Sequence, residues 1–471
     1  MLSCFFMNIK IRFVPKIKEK TVVLTDQKES SVLLLPSGKK QIQIGIGPIK
    51  EFNRRKLIIA SRKIISLAKT NKIKKLTVDF SDFLFSQLKM KPAEIAELLA
   101  ANFELANFEF VKYKTKPKEG WDFVEEMEIG GRLSAEIKRN FETGRAIGQW
   151  VNYCRTLANT PGGEMTPAIL ANEARKIARS NRLRIRVLDE KAMKKLKMNA
   201  IIGVAKGSNE KPKFIILEYL RGPKKERPVV LVGKGVTFDT GGLSLKEDEH
   251  MKEMHMDMSG AAAVISTLAL AAKLKIKKNI VGLIPAVENM PSGSSYRPGD
   301  VLKTMSCKTI EVLSTDAEGR IILADALEYA KKYNPRLVVD VATLTSAAIG
   351  ALGQRASAIL TKDEKLQNLF QKLGEESGDY VWPLPLWDEY EEDIKGTFGD
   401  WANIGKTRYG GAITGAMFLY QFVPSINSGQ AKVPWVHIDI APRMTSIEGE
   451  YLAKGAAGTP VRLLIKVLEK I

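Results

Sequence analysis

Cysteine is scarce in this chain, and its scarcity excludes several kinds of site. Only three of the 471 residues are cysteine: Cys4, Cys154 and Cys307. Because they are odd in number and widely spaced, the sequence indicates neither a disulfide framework nor a cysteine-type zinc site. A chain of this length can bury large cores and needs no disulfide to stabilise it. A reducing, cytoplasmic setting is therefore expected.

Three common catalytic motifs are also missing. The chain has three histidines, at positions 250, 255 and 437, and they form no H-E-x-x-H motif, which excludes a zincin-type peptidase. The absence of G-x-S-x-G excludes the nucleophile elbow of the α/β-hydrolases. Gly405-Lys-Thr looks like the end of a phosphate-binding P-loop, but Asp400 stands where that loop requires glycine.

The chain has no long hydrophobic run. No segment approaches the ~20 consecutive apolar residues that a membrane span needs. The opening seven residues are apolar, but they are too few for a signal-peptide core, no basic flank precedes them, and charged residues follow from Lys10 onward. We therefore expect a cytoplasmic protein that has no membrane partner.

Acidic residues are outnumbered by basic ones, 53 to 73, which gives a net charge of +20. Much of the excess lies in patches at 175–197, 211–227 and 273–278. Such patches are typical of proteins that bind nucleic acid or anionic membranes. They also arise from a general preference for lysine, and this second interpretation is favoured because no nucleic-acid-binding module accompanies the patches. Nucleic acid remains an alternative partner.

Apolar and polar patterns predict an α/β protein in two domains, with the boundary near residue 155. Residues 1–155 alternate strand-like and helix-like segments, including expected strands at 41–46, 76–80 and 108–113 and a connecting helix at 131–157. Residues 156–471 contain the nearly pure apolar run 228–233, which is typical of a strand covered on both faces, and further expected buried strands at 279–285 and 336–344. The sequence therefore predicts a small N-terminal α/β domain followed by a three-layer α/β/α catalytic domain with a central mixed sheet.

The most informative segment is Ser314-Thr-Asp-Ala-Glu-Gly-Arg320, which directly precedes a helical pattern. In an extended chain, residues two apart project to the same side, so Asp316, Glu318 and Arg320 could converge on one point. Two carboxylates on one face repel each other unless a cation joins them. Alone, such a short motif would usually be a solvated turn.

A second acidic cluster lies some seventy residues upstream and changes this interpretation. Asp239 and Asp257 follow a buried strand, and Lys234 and Lys246 accompany them. In open α/β sheets, ligands bind beyond the carboxyl ends of strands. Carboxylates without histidine suit hard divalent cations such as Mn²⁺ or Mg²⁺, and they also accept Zn²⁺. Four acids would balance two divalent ions, which leaves the basic side chains for an oxyanion or a bound anion.

These segments resemble the leucyl aminopeptidase family, also called the cytosol aminopeptidase or M17 peptidase family. The resemblance covers roughly residues 155–471, and its longest motif is VGKGVTFDTGGLSLK at 232–246. Further matching segments lie at 257–262, 288–300, 314–320, 340–345 and 437–441. The N-terminal domain resembles the family's variable domain only in size and alternation.

The resemblance implies a role for each residue of the cluster. Asp239 and Glu318 would bridge two metal ions, Asp316 would complete one site, and Lys234 and Asp257 would complete the other. The bridging hydroxide would attack the peptide carbonyl. Lys246 would stabilise the resulting oxyanion, and Arg320 would hold a bicarbonate ion that acts as general base.

The resemblance also implies the substrate and the assembly. A metal would bind the free α-amino group of a peptide, so only the N-terminal residue is removed. The pocket for that residue would be lined by Met254, Thr343, Ser346, Ala441 and Met444. Ser346 stands where glycine is common, so we expect a preference for Leu, Met and other apolar residues. The family forms hexamers, and some members bind DNA, which makes a DNA-binding architectural role the alternative function.

Overall fold

The computed structural model describes residues 8–426 and 431–471, so Cys4 and the opening apolar residues lie outside the described residues. The chain divides into two compact units. The first ends at Asn152 and also includes Ser446–Gly455, and the second comprises Tyr153–Thr445 and Ala456–Ile471. The sequence-based prediction places one boundary near residue 155 and assigns everything after it to the second domain. It therefore does not assign Ser446–Gly455 to the first unit.

The first unit contains two small sheets. Its strands are β1 (Lys10–Val14), β2 (Val22–Thr25), β3 (Ser31–Leu34), β4 (Lys40–Gly45), β5 (Lys75–Asp79) and β6 (Glu126–Gly130). One sheet is parallel, in the order β1-β6-β5. The other has the order β2-β4-β3, with β2 parallel and β3 antiparallel to the central strand.

Helices α1 (Arg54–Thr70) and α2 (Pro92–Asn107) supply most of the helical residues in the core of this unit. Helix α1 begins after Asn53, whose side chain accepts a hydrogen bond from the Lys56 amide, and its apolar residues lie on a buried face at helical spacing. The prediction of a strand at 108–113 is wrong. The chain forms a strand further on, at β6, where Met127 and Ile129 both point toward the core. Helix α3 (Ala135–Asn159) follows.

The second unit alternates strands and helices along its length. Its strands are β7 (Arg184–Leu188), β8 (Lys213–Leu220), β9 (Val229–Gly233), β10 (Gly235–Asp239), β11 (Asn279–Asn289), β12 (Val301–Lys303), β13 (Thr309–Glu311), β14 (Leu337–Ala342), β15 (Ser357–Leu360), β16 (Val381–Pro383), β17 (Trp401–Ala402), β18 (Ser425–Ile426), β19 (Ala431–Lys432) and β20 (Trp435–Asp439). Its helices are α4 (Pro167–Asn181), α5 (Glu190–Lys195), α6 (Asn199–Ala205), α7 (Asp248–Met251), α8 (Ser259–Lys273), α9 (Glu318–Ala330), α10 (Ser346–Leu352), α11 (Glu364–Ser377), α12 (Gly411–Phe422) and α13 (Val461–Lys470).

The main sheet of the second unit is mixed, in the order β16-β15-β20-β14-β9-β11-β8-β7, with β10 paired to β11. Its centre, β20-β14-β9-β11, is parallel, whereas β8 and β15 run antiparallel to their neighbours β11 and β20. Strands β9 and β14 are buried at every residue, as their nearly pure apolar sequences predict. The sheet confirms the predicted fold class.

Helices pack on both faces of the sheet and complete three layers. Helix α8 packs on β9, β11 and β14 and also contacts α4 and α13. Helix α9 packs on β9 and β11 and contacts α6 and α12. The segment Met254–Lys273, which contains α8, is long and apolar enough to cross a membrane by length and composition alone, but 89% of its most apolar 18-residue stretch is buried inside the protein. It is therefore the core helix of this layered domain.

The parallel centre brings the candidate site residues to one edge of the sheet. Lys234 directly follows β9, Asp239 ends β10, and Thr343 directly follows β14. Because the carboxyl ends of parallel strands meet at the same edge, these residues lie close together. Helix α9 begins at Glu318 next to them, and the small sheet β12-β13-β17 leads into the loop before α9.

Candidate metal centre

Three carboxylates meet beyond the ends of these strands. Asp239, Asp316 and Glu318 each offer an oxygen atom, and these atoms all lie within 4.8 Å of one another. Asp239 and Glu318 are buried, whereas the Asp316 side chain is 38% exposed. The structure thus brings together the two acidic segments that are separate in the sequence, and the half-exposed Asp316 leaves the group accessible from solvent.

Lys234 joins the fourth acid to this group. Its Nζ lies 2.8 Å from Asp257 Oδ1 and 2.9 Å from Glu318 Oε1, and it donates to the Thr343 carbonyl at 2.8 Å. Burial disfavours the charged lysine, but the carboxylates of Asp257, Glu318 and Asp239 outweigh it, so the pKa of Lys234 is raised. An ammonium group therefore provides positive charge at the centre of the acids.

Lys246 balances the other side of the group. Its Nζ lies 3.0 Å from Asp239 Oδ2 and also pairs with Asp316 Oδ1. Partial burial again opposes the charge, and the three neighbouring carboxylates raise the pKa of Lys246 despite it. Each lysine thus pairs with two carboxylates, so both halves of the cluster carry a basic side chain.

Burial and mutual repulsion disfavour the charged form of the acids. Burial, followed by the charge of Glu318, raises the pKa of Asp239 to about 6, and burial raises the pKa of Asp257 well above its usual range. Two buried oxygens, Asp257 Oδ2 and Glu318 Oε2, have no hydrogen-bond partner among the described residues. Unpaired carboxylate oxygens at this depth are costly unless something binds them. An oxygen-rich donor set of this kind fits hard divalent cations.

Two glycines allow the chain to pass this closely. Gly241 has φ +84°, and a Cβ there would lie 2.4 Å from the Ser244 carbonyl oxygen and 2.9 Å from Asp316 Oδ1. At Gly319 a Cβ would lie 2.6 Å from Lys234 Cε. Only glycine avoids these overlaps, which explains the glycines within both acidic motifs.

Arg320 lies next to the acids on the first turn of α9. It is 6% exposed, and its Nη1 donates to the Asn403 carbonyl at 2.8 Å. Its Nε has no hydrogen-bond partner among the described residues. Burial lowers the pKa of Arg320 to about 10, although Glu318 and Asp439 favour its charge. A buried guanidinium with an unsatisfied N–H is suited to a small planar anion.

The five predicted pocket residues differ in burial: Thr343 is buried, and the other four are half-buried or exposed. Thr343 is buried, and its hydroxyl donates to Asp257 Oδ1 at 2.5 Å, so its polar atom faces the acids. Ser346 is exposed at the first residue of α10, and that helix packs on the turn that contains Ala441. Met254 and Met444 are half-buried. The turn of Met254 packs on β10, which ends at Asp239.

Sequence reasoning missed two asparagines that hold the acidic loops. Asn289 Nδ2 donates to Asp239 Oδ1 at 2.8 Å and to the Thr315 carbonyl at 2.9 Å, so it ties the two loops together. Asn403 contacts the loop before Asp316 and also Arg320. The only sequence signal was the position of a polar residue at the end of a strand. This signal is clear for Asn289, which ends the buried strand β11, and weak for Asn403, which follows the two-residue strand β17. Neither residue carries ligand chemistry that would single it out.

Histidine takes no part in the cluster among the described residues. His437 lies in the main sheet, fully buried, with Nδ1 2.5 Å from Asp340 Oδ1. Trp435 Nε1 donates to the second oxygen of the same carboxylate at 2.6 Å.

Comparison with protein families gives two matches that together span most of the chain. Residues 152–465 match the "Cytosol aminopeptidase family, catalytic domain", and residues 12–117 match the "Cytosol aminopeptidase family, N-terminal domain". The second match lies in the part of the chain whose sequence gave the weaker resemblance.

Curated proteins and solved structures show the same similarity. A "Probable cytosol aminopeptidase" of Azoarcus sp. (strain BH72) is 46% identical over 340 residues, 72% of this chain and 66% of that protein. One from Methylobacillus flagellatus is 39% identical over 459 residues, 94% of this chain and 89% of that protein. A structure described as "Bottromycin maturation enzyme BotP in complex with Mn" has a TM-score of 0.85 and 30% identity, covering 96% of this chain and 99% of that one. None of these matches supports the DNA-binding alternative.

Proposed function

The chain belongs to the cytosol aminopeptidase family and is a metallo-aminopeptidase, and we propose that it removes the N-terminal residue of peptides with two divalent metal ions. The buried acidic cluster at the sheet edge supports this proposal most directly. Three of its carboxylates lie within 4.8 Å of one another, and two buried oxygens lack any partner among the described residues. Cations are the groups that such a cluster accommodates best.

In this proposal each metal is held by residues of both acidic segments. Asp239 and Glu318 would help to hold both ions, Asp316 would complete one site, and Lys234 and Asp257 would complete the other. As a ligand Lys234 must lose the proton that its carboxylate neighbours stabilise, so metal uptake releases a proton. When bound, the metals, Mn²⁺ or Zn²⁺, would supply an activated water and polarise the peptide carbonyl.

The basic residues supply the remaining chemistry. Lys246, with its Nζ beside Asp239 and Asp316, donates a hydrogen bond to the oxyanion that forms at the attacked carbonyl. The unsatisfied Nε of Arg320 would hold bicarbonate, which would supply a proton acceptor when present. The substrate's α-amino group would bind at the metal site, which would restrict cleavage to the first residue.

The wider setting rests on family membership alone. We propose that the protein is cytoplasmic, that it assembles as a homohexamer and that its partners are peptides. The net charge of +20 is then a property of composition.

The activity is tested with Leu-p-nitroanilide in the presence of Mn²⁺ or Zn²⁺. Release of p-nitroaniline is expected with metal and should stop after chelation, because the acidic cluster then lacks its cations. N-acetyl-Leu-p-nitroanilide is the matched control, since it lacks the free amine. Cleavage of the acetylated substrate at a comparable rate would contradict the exopeptidase proposal, and unchanged activity after chelation would contradict the metal requirement.

Substrate preference is tested by Ser346→Gly. Ser346 adds a hydroxymethyl group on the side of α10 that we place against the departing side chain, and a one-methylene difference in an apolar pocket is worth ~1–3 kcal/mol. Met254 and Met444 are flexible and can repack around groups of different size. We therefore expect the variant to raise kcat/KM for Phe-p-nitroanilide more than for the Leu substrate.

Ser346→Ala is the control for that comparison, because it removes the hydroxyl but keeps Cβ. It should leave the ratio of the two kcat/KM values closer to that of the wild type. Equal changes for Phe and Leu, or a loss for Phe, would place Ser346 away from the pocket.

A further inference from the structure

Asn403 lies at the junction between the small sheet and the acidic loop. Strand β17 pairs in parallel with β13, with Trp401 opposite Ile310 and Ala402 opposite Glu311. The next residue is Asn403, whose amide donates to the Glu311 carbonyl at 3.0 Å and whose side chain is fully buried. The pairing therefore places Asn403 beside the chain segment that leaves β13 and leads to α9.

The side-chain amide of Asn403 binds this segment with both of its ends. Its Oδ1 accepts from the amides of Leu313 at 2.7 Å and Ser314 at 3.3 Å. Its Nδ2 donates to the carbonyls of Ser314 at 2.6 Å and Ala317 at 3.4 Å. Only an amide side chain combines the acceptor and the two donors that this pattern requires. A residue 89 positions away in the sequence thus fixes the backbone on both sides of Asp316.

The backbone of Asn403 contacts Arg320, the second functional residue of the same segment. Its carbonyl accepts from Arg320 Nη1 at 2.8 Å, and this is the hydrogen bond that orients the buried guanidinium. Asp316 itself is 38% exposed and packs less tightly than Glu318, which is 1% exposed. The position of Asp316 therefore depends on the loop backbone more than on its own packing.

We propose that Asn403 is a positioning residue that holds residues 313–320 in the geometry required for metal binding by Asp316 and anion binding by Arg320. This inference rests on the proposed two-metal function. Residues that orient metal ligands typically change metal affinity or activity by ~10–100-fold when they are replaced. The hydrogen bonds of the Asn403 side chain go to backbone atoms of the loop, so its effect is expected to pass through the loop.

The test is Asn403→Asp in the full-length chain. Aspartate has the same shape, but it lacks the N–H donors and its charge faces the carbonyls of Ser314 and Ala317. We expect the dissociation constant for Mn²⁺, measured by titration calorimetry, to rise ~10–100-fold. With Leu-p-nitroanilide, kcat should fall and partly recover at high Mn²⁺, while KM should change by no more than about twofold, because Asn403 does not contact substrate.

Asn279→Asp is the matched control, because Asn279 is also a buried asparagine that holds a loop. It accepts from the Gly222 amide at 3.1 Å and donates to the carbonyls of Pro223 and Glu226, both at 2.9 Å, at the start of β11. The control should bind Mn²⁺ like the wild type. Thermal unfolding without metal should be similar in the two variants, which separates weaker metal binding from general loss of structure.

Several outcomes would overturn the positioning role. Wild-type Mn²⁺ affinity in Asn403→Asp would do so, and so would an equal loss of affinity in the control. Asn403→Ser, which introduces no charge, is measured as well; if both Asn403 variants fail to fold, the residue is required for folding rather than for positioning. Absence of Mn²⁺ binding by the wild-type chain would overturn the proposed function itself, an outcome distinct from the others.

Discussion

Glu318→Ala should empty the metal site and abolish turnover. Glu318 Oε1 lies 2.9 Å from Lys234 Nζ, and Oε2 is buried without a protein partner among the described residues. Under the proposed assignment this carboxylate contacts both metals, so its removal weakens both sites together. Metal ions supply several kcal/mol of transition-state stabilisation, and about 4 kcal/mol corresponds to roughly a thousand-fold in rate. We expect a loss of at least that order, with metal content measured by elemental analysis of the purified protein.

The control for this variant lies on the same helix. Glu328 is a half-buried glutamate near the end of α9, outside the acidic cluster. Glu328→Ala removes the same group from the same element and should retain both metals and most of the activity. Two fully occupied metal sites in Glu318→Ala would contradict the bridging role, and loss of metal in both variants would attribute the effect to the helix rather than to the carboxylate.

The convergence of the acidic residues was predictable from the sequence because it depends on residue types at the ends of strands and the starts of helices. Asp239, Asp316 and Glu318 are acidic residues at strand ends or helix starts, and such positions converge in a parallel sheet. The structure brings these three together. Their individual roles as ligands stay predictions that the variants above test.

The contacts that hold the site were not predictable, because they join residues far apart in the sequence. Asn403 binds Ser314 across 89 positions, and Asn289 binds Asp239 across 50. An asparagine in a loop is usually read as a turn residue. Only the pairing of β17 with β13 gives Asn403 its position, and strands of two and three residues leave almost no pattern in the sequence.

The fold was predictable where strands are covered on both faces and less so where they are not. The apolar runs of β9 and β14 are unmistakable, and both strands lie in the centre of the sheet. The segment 108–113 carries four apolar or aromatic residues but forms no strand, whereas β6, Glu-Met-Glu-Ile-Gly, forms one with only two large apolar residues. Tertiary pairing with β1 and β5 decides the outcome there.

The two lysines of the cluster make similar ion pairs but should behave differently when replaced. Lys246 pairs with Asp239 and Asp316, whereas Lys234 pairs with Asp257 and Glu318. Under the proposal Lys246 donates to the oxyanion and Lys234 is a metal ligand. Lys246→Met keeps the length of the side chain and removes its charge, so kcat for Leu-p-nitroanilide should fall by roughly 10²–10³, as it does when an oxyanion donor is lost elsewhere. KM should change little, because the interaction develops only in the transition state.

Metal binding separates the two lysines. In the metal-free cluster the Lys246 ammonium occupies oxygens of Asp239 and Asp316 that a cation would otherwise use, so Lys246→Met should bind Mn²⁺ at least as tightly as the wild type. Lys234→Met removes a proposed ligand and should bind Mn²⁺ more weakly. Titration calorimetry on both variants measures the two affinities. Since both lysines pair with two carboxylates of the same cluster, each variant serves as the control for the other. Lost Mn²⁺ binding in Lys246→Met, or an increased KM with kcat unchanged, would make Lys246 a residue of the binding site and contradict its role at the oxyanion.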